Sequence, residues 1–76
     1  MTRNTKLRDL MEELVGEIVD KGIYWDEAVT QFEKQFIQKS LKKNSGNLLK
    51  TSASMGIHRN TLAKKISQHK IARGKD

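Results

Sequence analysis

The chain has 76 residues, no cysteine and a net charge of +6, which limits it to one small domain without a disulfide staple. His58 and His69 are its only histidines and no thiolate accompanies them, so neither a structural zinc site nor another cofactor is expected. No apolar run approaches the ~20 residues of a membrane span, and Met1-Thr2-Arg3-Asn4 leads into charged sequence, so a cytoplasmic location is expected.

The charge is unevenly placed. Residues 1–36 carry five basic and eight acidic side chains, whereas residues 37–76 carry ten basic and one acidic. The C-terminal half is therefore the candidate for a polyanionic partner, although charge by itself fits a solvated face equally well.

Without proline, internal repeat or alternating β-branched runs, the chain reads as all-α. The first helix is predicted from about Lys6 to Lys21, with Leu7, Leu10, Met11, Leu14, Val15, Ile18 and Val19 at the three-and-four spacing of one face. Lys21-Gly22 supplies the cation and the left-handed residue of a helix end. Tyr24 and Trp25 are expected to pack the corner that follows. A second helix should start near Asp26, where Asp26 and Glu27 suit the first-turn dipole. Its apolar face is Ala28, Val29, Phe32, Phe36, Ile37 and Leu41. Glu33 falls inside that stripe and, if buried, needs a basic partner from the C-terminal helices; a wet face at that point is the alternative.

Asn44-Ser45-Gly46 breaks the second helix. A short third helix is predicted from about Asn47, a credible N-cap, to Met55. Gly56 permits a tight turn, and a fourth helix should run from about Arg59 to His69. Leu62 and Ile66 face the core there, while Arg59, Asn60, Lys64 and Ser67 point away.

The apolar arc of the first helix covers about half its circumference. The short C-terminal helices offer only Leu48, Leu49, Ala53, Met55, Leu62, Ile66 and Ile71 in return. Each large aliphatic side chain left in water forgoes about 1.5–3 kcal/mol, so pairing of two copies into a four-helix core is expected. The expected interface is Leu7, Leu10, Met11, Leu14, Val15, Ile18, Phe32 and Phe36. The predicted organisation is a dimerising helical hairpin over residues 1–45 and a basic helix pair over residues 46–76, within one compact domain.

Gly46-Asn47, Met55-Gly56-Ile57, Arg59, Thr61-Leu62 and Lys64-Lys65-Ile66 form an ordered set across a short helix pair. With Glu27-Ala28-Val29 and Phe32 to Ile37 upstream, and weakly Lys6 to Asp9, this pattern resembles the Fis family (factor for inversion stimulation). That family includes the C-terminal DNA-binding domains of NtrC-class activators. The resemblance spans about residues 6–71 and implies a four-helix protomer with a C-terminal helix-turn-helix, dimerised through its first two helices. Thr51-Ser52 stand where the family usually has two alanines. The long N-terminal arm that serves DNA inversion has no counterpart, so recombination stimulation is not expected, and an NtrC-class role would require an excised fragment.

Read through the resemblance, the protein is a DNA-bending, sequence-preferring transcriptional regulator or nucleoid-associated protein. Its partners are double-stranded DNA and a second copy of itself, with the transcription machinery as a further candidate. By its matching position Arg59 should read a guanine through O6 and N7. Asn60, Thr61 and Lys64 share or adjoin that face. Phosphate contacts are expected from Asn47 at a helix N-terminus, from Lys50, His58, Lys65 and Lys70, and more loosely from Arg73 and Lys75. No nucleophile–base pair, phosphate-cradling loop or metal-ligand cluster points to an enzyme. The rival reading is a basic amphipathic segment over residues 59–75 that binds a membrane surface or acidic partner. A detached dimerisation module of a larger regulator is a third.

Overall fold

Helices form where the apolar spacing places them. In the computed structural model, which describes residues 2–72 and their side chains from Lys6 onward, four helices follow in order. They are α1 (Thr2–Asp20), α2 (Trp25–Lys43), α3 (Leu48–Met55) and α4 (Arg59–His69). No strand occurs among the described residues. α1 begins four residues ahead of its predicted start; α2 and α3 begin within one residue of theirs, and α4 on the predicted residue. The third and fourth helices, joined by Gly56-Ile57-His58, make the helix-turn-helix.

All four helices stop by the same device. A residue in the left-handed region is followed by an amide that reaches back five residues to a helix carbonyl. Ile23 donates to Ile18 (3.2 Å), Gly46 to Leu41 (2.8 Å), Ile57 to Ser52 (3.1 Å) and Ile71 to Ile66 (3.0 Å). The left-handed residues are Gly22, Ser45, Gly56 and Lys70, with φ of 70°, 54°, 74° and 54°. Gly22 and Gly56 adopt that φ without a Cβ penalty; Ser45 and Lys70 carry one.

The core belongs to the last three helices. Ile37 and Leu41 of α2 meet Leu62 and Ile66 of α4 and Ile71 beyond it, with Leu48, Met55 and Ile57 packed around them. Thr51 and Ser52 of α3 are buried as well. Their hydroxyls donate into their own helix, to the carbonyls of Asn47 (2.6 Å) and Leu49 (3.0 Å), so burial leaves neither unsatisfied. Asn44 joins α2 to α3 by donating to the Ser40 carbonyl (2.9 Å) and the Ser54 hydroxyl (3.3 Å).

α1 stands apart from that core. None of its described side chains is buried, and Ile18 alone is half-buried. Leu7, Leu10, Met11, Leu14, Val15 and Val19 face solvent in the single chain, as do Phe32 and Phe36 of α2. Two expectations need correcting. Tyr24 and Trp25 do not pack the corner, for each is 80% exposed; Trp25 opens α2 at seven and eleven residues before Phe32 and Phe36, on the same helical face. Leu49 and Ala53, counted toward the core, are exposed because Leu48 and Ser52 occupy the inner side of α3.

Candidate nucleic-acid interface

The basic half of the chain presents two helix N-termini. At α3, the Asn47 carboxamide oxygen accepts from the Lys50 amide at 2.9 Å, the capping bond expected of that residue. The use of this oxygen leaves its Nδ2 hydrogens to donate elsewhere, and the neighbouring Leu49 and Lys50 are exposed. At α4, His58 is the cap: its Nδ1 accepts from the Asn60 amide at 3.0 Å. Only an unprotonated Nδ1 can accept, so in this arrangement the ring proton sits on Nε2.

Leu62 and Ile66, 0% and 8% exposed, turn one side of α4 inward and fix which side faces out. Asn60, Thr61, Lys64, Lys65 and Gln68 line a shallow groove of about 280 Å³ on the outer side. Asn60, Lys64 and Gln68 are successive four-residue steps along it, so Gln68 was readable from spacing but not singled out. Arg59 is exposed on the first turn, three residues before Leu62 and so on the opposite flank from Lys65. Lys70 is exposed just past the helix end. Arg73 and Lys75 lie outside the described residues. A larger groove, about 510 Å³, runs along one polar face of α2 between Gln31, Lys34, Gln35, Gln38, Lys39 and Lys42, away from the α4 face.

Lys65 and His69 are tied inward. Lys65 Nζ lies 3.0 Å from Glu33 Oε2, and His69 Nε2 lies 2.9 Å from Glu33 Oε1. Hydrogen bonds from His69 and then Lys65 hold the Glu33 carboxyl below the ordinary glutamate range, outweighing its partial desolvation. The ionised carboxylate only accepts, so His69 donates through Nε2. The acid inside the apolar stripe of α2 thus has basic partners on α4.

No helix of the described residues is long and apolar enough to cross a membrane. Neither a curated protein nor a solved structure matches the chain. The model of the family described as bacterial regulatory protein, Fis family, matches residues 28–69, from the first turn of α2 to the last residue of α4. A capped helix pair of the helix-turn-helix type, a basic outer face and a family match over more than half its length make this chain a member of the Fis family, a DNA-binding regulator.

Proposed function

We propose that the protein acts as a homodimer that binds and bends duplex DNA, joined through α1 and the outer face of α2. The observation that carries this reading is the contrast within one chain. The helix-turn-helix has a closed core, whereas none of the described side chains of α1 is buried. A solitary 19-residue helix is marginal in water and takes most of its stability from packing an apolar face. Leu7, Leu10, Met11, Leu14, Val15 and Ile18 supply that face, and Phe32 and Phe36, with ring centroids 5.6 Å apart, supply its counterpart on α2. Trp25 extends the counterpart by two turns. A second copy covers all of them at once and holds two α4 helices at a fixed separation, as two half-sites about 34 Å apart require.

In that arrangement Arg59 reads a guanine, and Asn60, Thr61 and Lys64 face base edges or adjoining phosphates. Asn47, Lys50 and Lys70 take phosphates, and His58 offers a phosphate its Nε2 hydrogen. A regulator that bends its site also reads the flexibility of the sequence it bends. The rival membrane-surface reading is disfavoured because Leu62 and Ile66, the apolar side of α4, are spent in the core.

Sedimentation at micromolar concentration, with gel shifts on duplex DNA and liposome co-sedimentation alongside, tests the reading. A dimer that binds duplex and ignores vesicles is expected. With about eight phosphates neutralised, log affinity should fall against log salt with a slope near −7, and Arg59→Ala should weaken specific binding by about 1–3 kcal/mol. A folded monomer, or a slope shallower than about −3, would contradict it.

A further inference from the structure

We propose that Glu33 is a positioning residue for DNA reading: through Lys65 and His69 it sets the roll of α4 about its own axis, and Lys65 acts inward on Glu33 instead of outward on a phosphate. This inference rests on the DNA-binding reading above.

The apolar grip on α4 is narrow. Leu62 and Ile66 are one turn apart and form a single row, which fixes how deep the helix sits but leaves it able to roll. Lys65 and His69, also one turn apart, form a second row three residues on, roughly 60° around the helix. Two rows define a roll angle where one does not. Both side chains of the second row end on the same carboxylate, one donor on each oxygen, at 3.0 and 2.9 Å. Glu33 stands one turn ahead of Ile37 and two ahead of Leu41, so it continues the row of α2 that holds the core. The His69 side chain is only 6% exposed, against 29% for Glu33 and 34% for Lys65. The link is therefore closed on its imidazole side, unlike the exposed Lys21–Glu17 pair at 3.5 Å on α1, which is of the kind that contributes little.

Base reading is sensitive to roll. A side chain on a helix of roughly 5–6 Å outer radius moves its tip about 2 Å for a 20° roll, enough to break a bidentate bond that tolerates only a few tenths of an ångström. Attraction to phosphates is Coulombic and barely feels such a change. A loosened link should thus damage discrimination and spare general affinity. Loss of the carboxylate also releases an ammonium toward the DNA.

The test compares two duplexes of equal length, one enriched from a random pool by the wild-type protein and one of scrambled sequence. Glu33→Gln should lower the ratio of the two affinities about tenfold. Its affinity for the scrambled duplex should hold or rise, with the salt slope steeper by up to about 0.9 for the one cation released. Lys65→Met should lower the ratio without flattening the salt slope of specific binding. The exchange of both charges, Glu33→Lys with Lys65→Glu, rebuilds the pair with reversed polarity, and a neutral His69 can accept from the new ammonium. It should recover most of the ratio lost by either single change. A parallel loss on both duplexes would mean mere destabilisation and overturn the proposal. So would a slope flattened by about 0.9 in Lys65→Met, or losses that simply add in the double exchange. If the wild-type protein bound neither duplex, the proposed function would fall first and take this inference with it.

Discussion

α1 and the α3–α4 pair treat their apolar side chains in opposite ways. α1 carries a stripe of seven apolar residues, Leu7 to Val19, and none of them is buried. α3 and α4 are short and rich in polar residues, yet Leu62, Ile66 and Ile71 are closed in against Ile37 and Leu41. The difference teaches that amphipathicity reports how much surface must be covered and says nothing of who covers it. The short pair, folded back on α2, covers itself. α1 has acidic residues on its remaining face (Asp9, Glu13, Asp20) and, among its described side chains, only Ile18 half-buried, so it is the helix on which the proposed dimer rests.

The largest effect is expected where that contrast is sharpest. Leu10→Asp with Leu14→Asp places two charges in the middle of the α1 stripe, where burial of an unpaired carboxylate is prohibitive. Sedimentation should show a monomer, and specific DNA affinity should drop about 10²–10⁴-fold as two linked reading helices become one. Far-UV circular dichroism should lose signal from α1 while α2–α4 continue to melt cooperatively, since their core does not include α1. A variant that remained a dimer would mean that α1 has another task.

Inside the closed region, Leu62→Ala should destabilise by about 2–5 kcal/mol through a cavity in a fully packed site. Leu49→Ala, 61% exposed on the adjacent helix, should stay within about 0.5 kcal/mol. Thermal melts of the two leucine variants check the boundary between core and surface directly. Equal losses would show that α3 buries a different face.

Much of this was legible in the sequence because the local rules agree with one another. The four helices, the Asn47 cap, the Gly22 and Gly56 stops and the inward Leu62–Ile66 row follow from period and end signals. Trp25 reads as a corner residue because it lies at a helix boundary, three residues past Gly22, and such a position reads as loop unless its register with Phe32 and Phe36 is followed back. Leu49 was misjudged because an eight-residue helix is too short for periodicity to choose between adjacent leucines. Glu33 was visible as an anomaly, but its partners lie 32 and 36 residues away, a pairing that no local spacing encodes. The Glu33 partner of Lys65 is hidden for the same reason: a lysine on a basic helix looks free until the opposite helix is placed.

A smaller effect follows from that pairing and is read through pH. Glu33 has its folded-state carboxyl held below the ordinary range. Its contribution to stability is therefore present above about pH 4.3, the ordinary glutamate value, and is lost as pH falls through the lowered one. Acid titration followed by melting should show the wild type losing more stability than Glu33→Gln between about pH 5 and pH 3. Identical acid profiles would mean that the carboxylate is solvated and the α2–α4 link is absent in solution.

The smallest effect contrasts the ends of α1 and α4, which use the same reverse turn with different residues. α1 stops on Gly22, α4 on Lys70 at φ 54°, a conformation that a residue with a Cβ holds at a cost of about 1 kcal/mol. Ile71 pulls the chain into that turn, since its amide reaches Ile66 at 3.0 Å and its side chain is 7% exposed. Lys70→Gly should remove the strain and, after the greater freedom of glycine in the unfolded chain is set against it, raise stability by about 0.5 kcal/mol or a few degrees in Tm. The same change deletes a cation beside the DNA-facing helix, so the salt slope of binding should flatten by about 0.9. A more stable protein that binds DNA less steeply would show that the strain at Lys70 is kept for its charge. If Lys70→Gly gained stability with the slope unchanged, Lys70 would have no phosphate to hold, and the DNA-facing edge of α4 would end at Gln68.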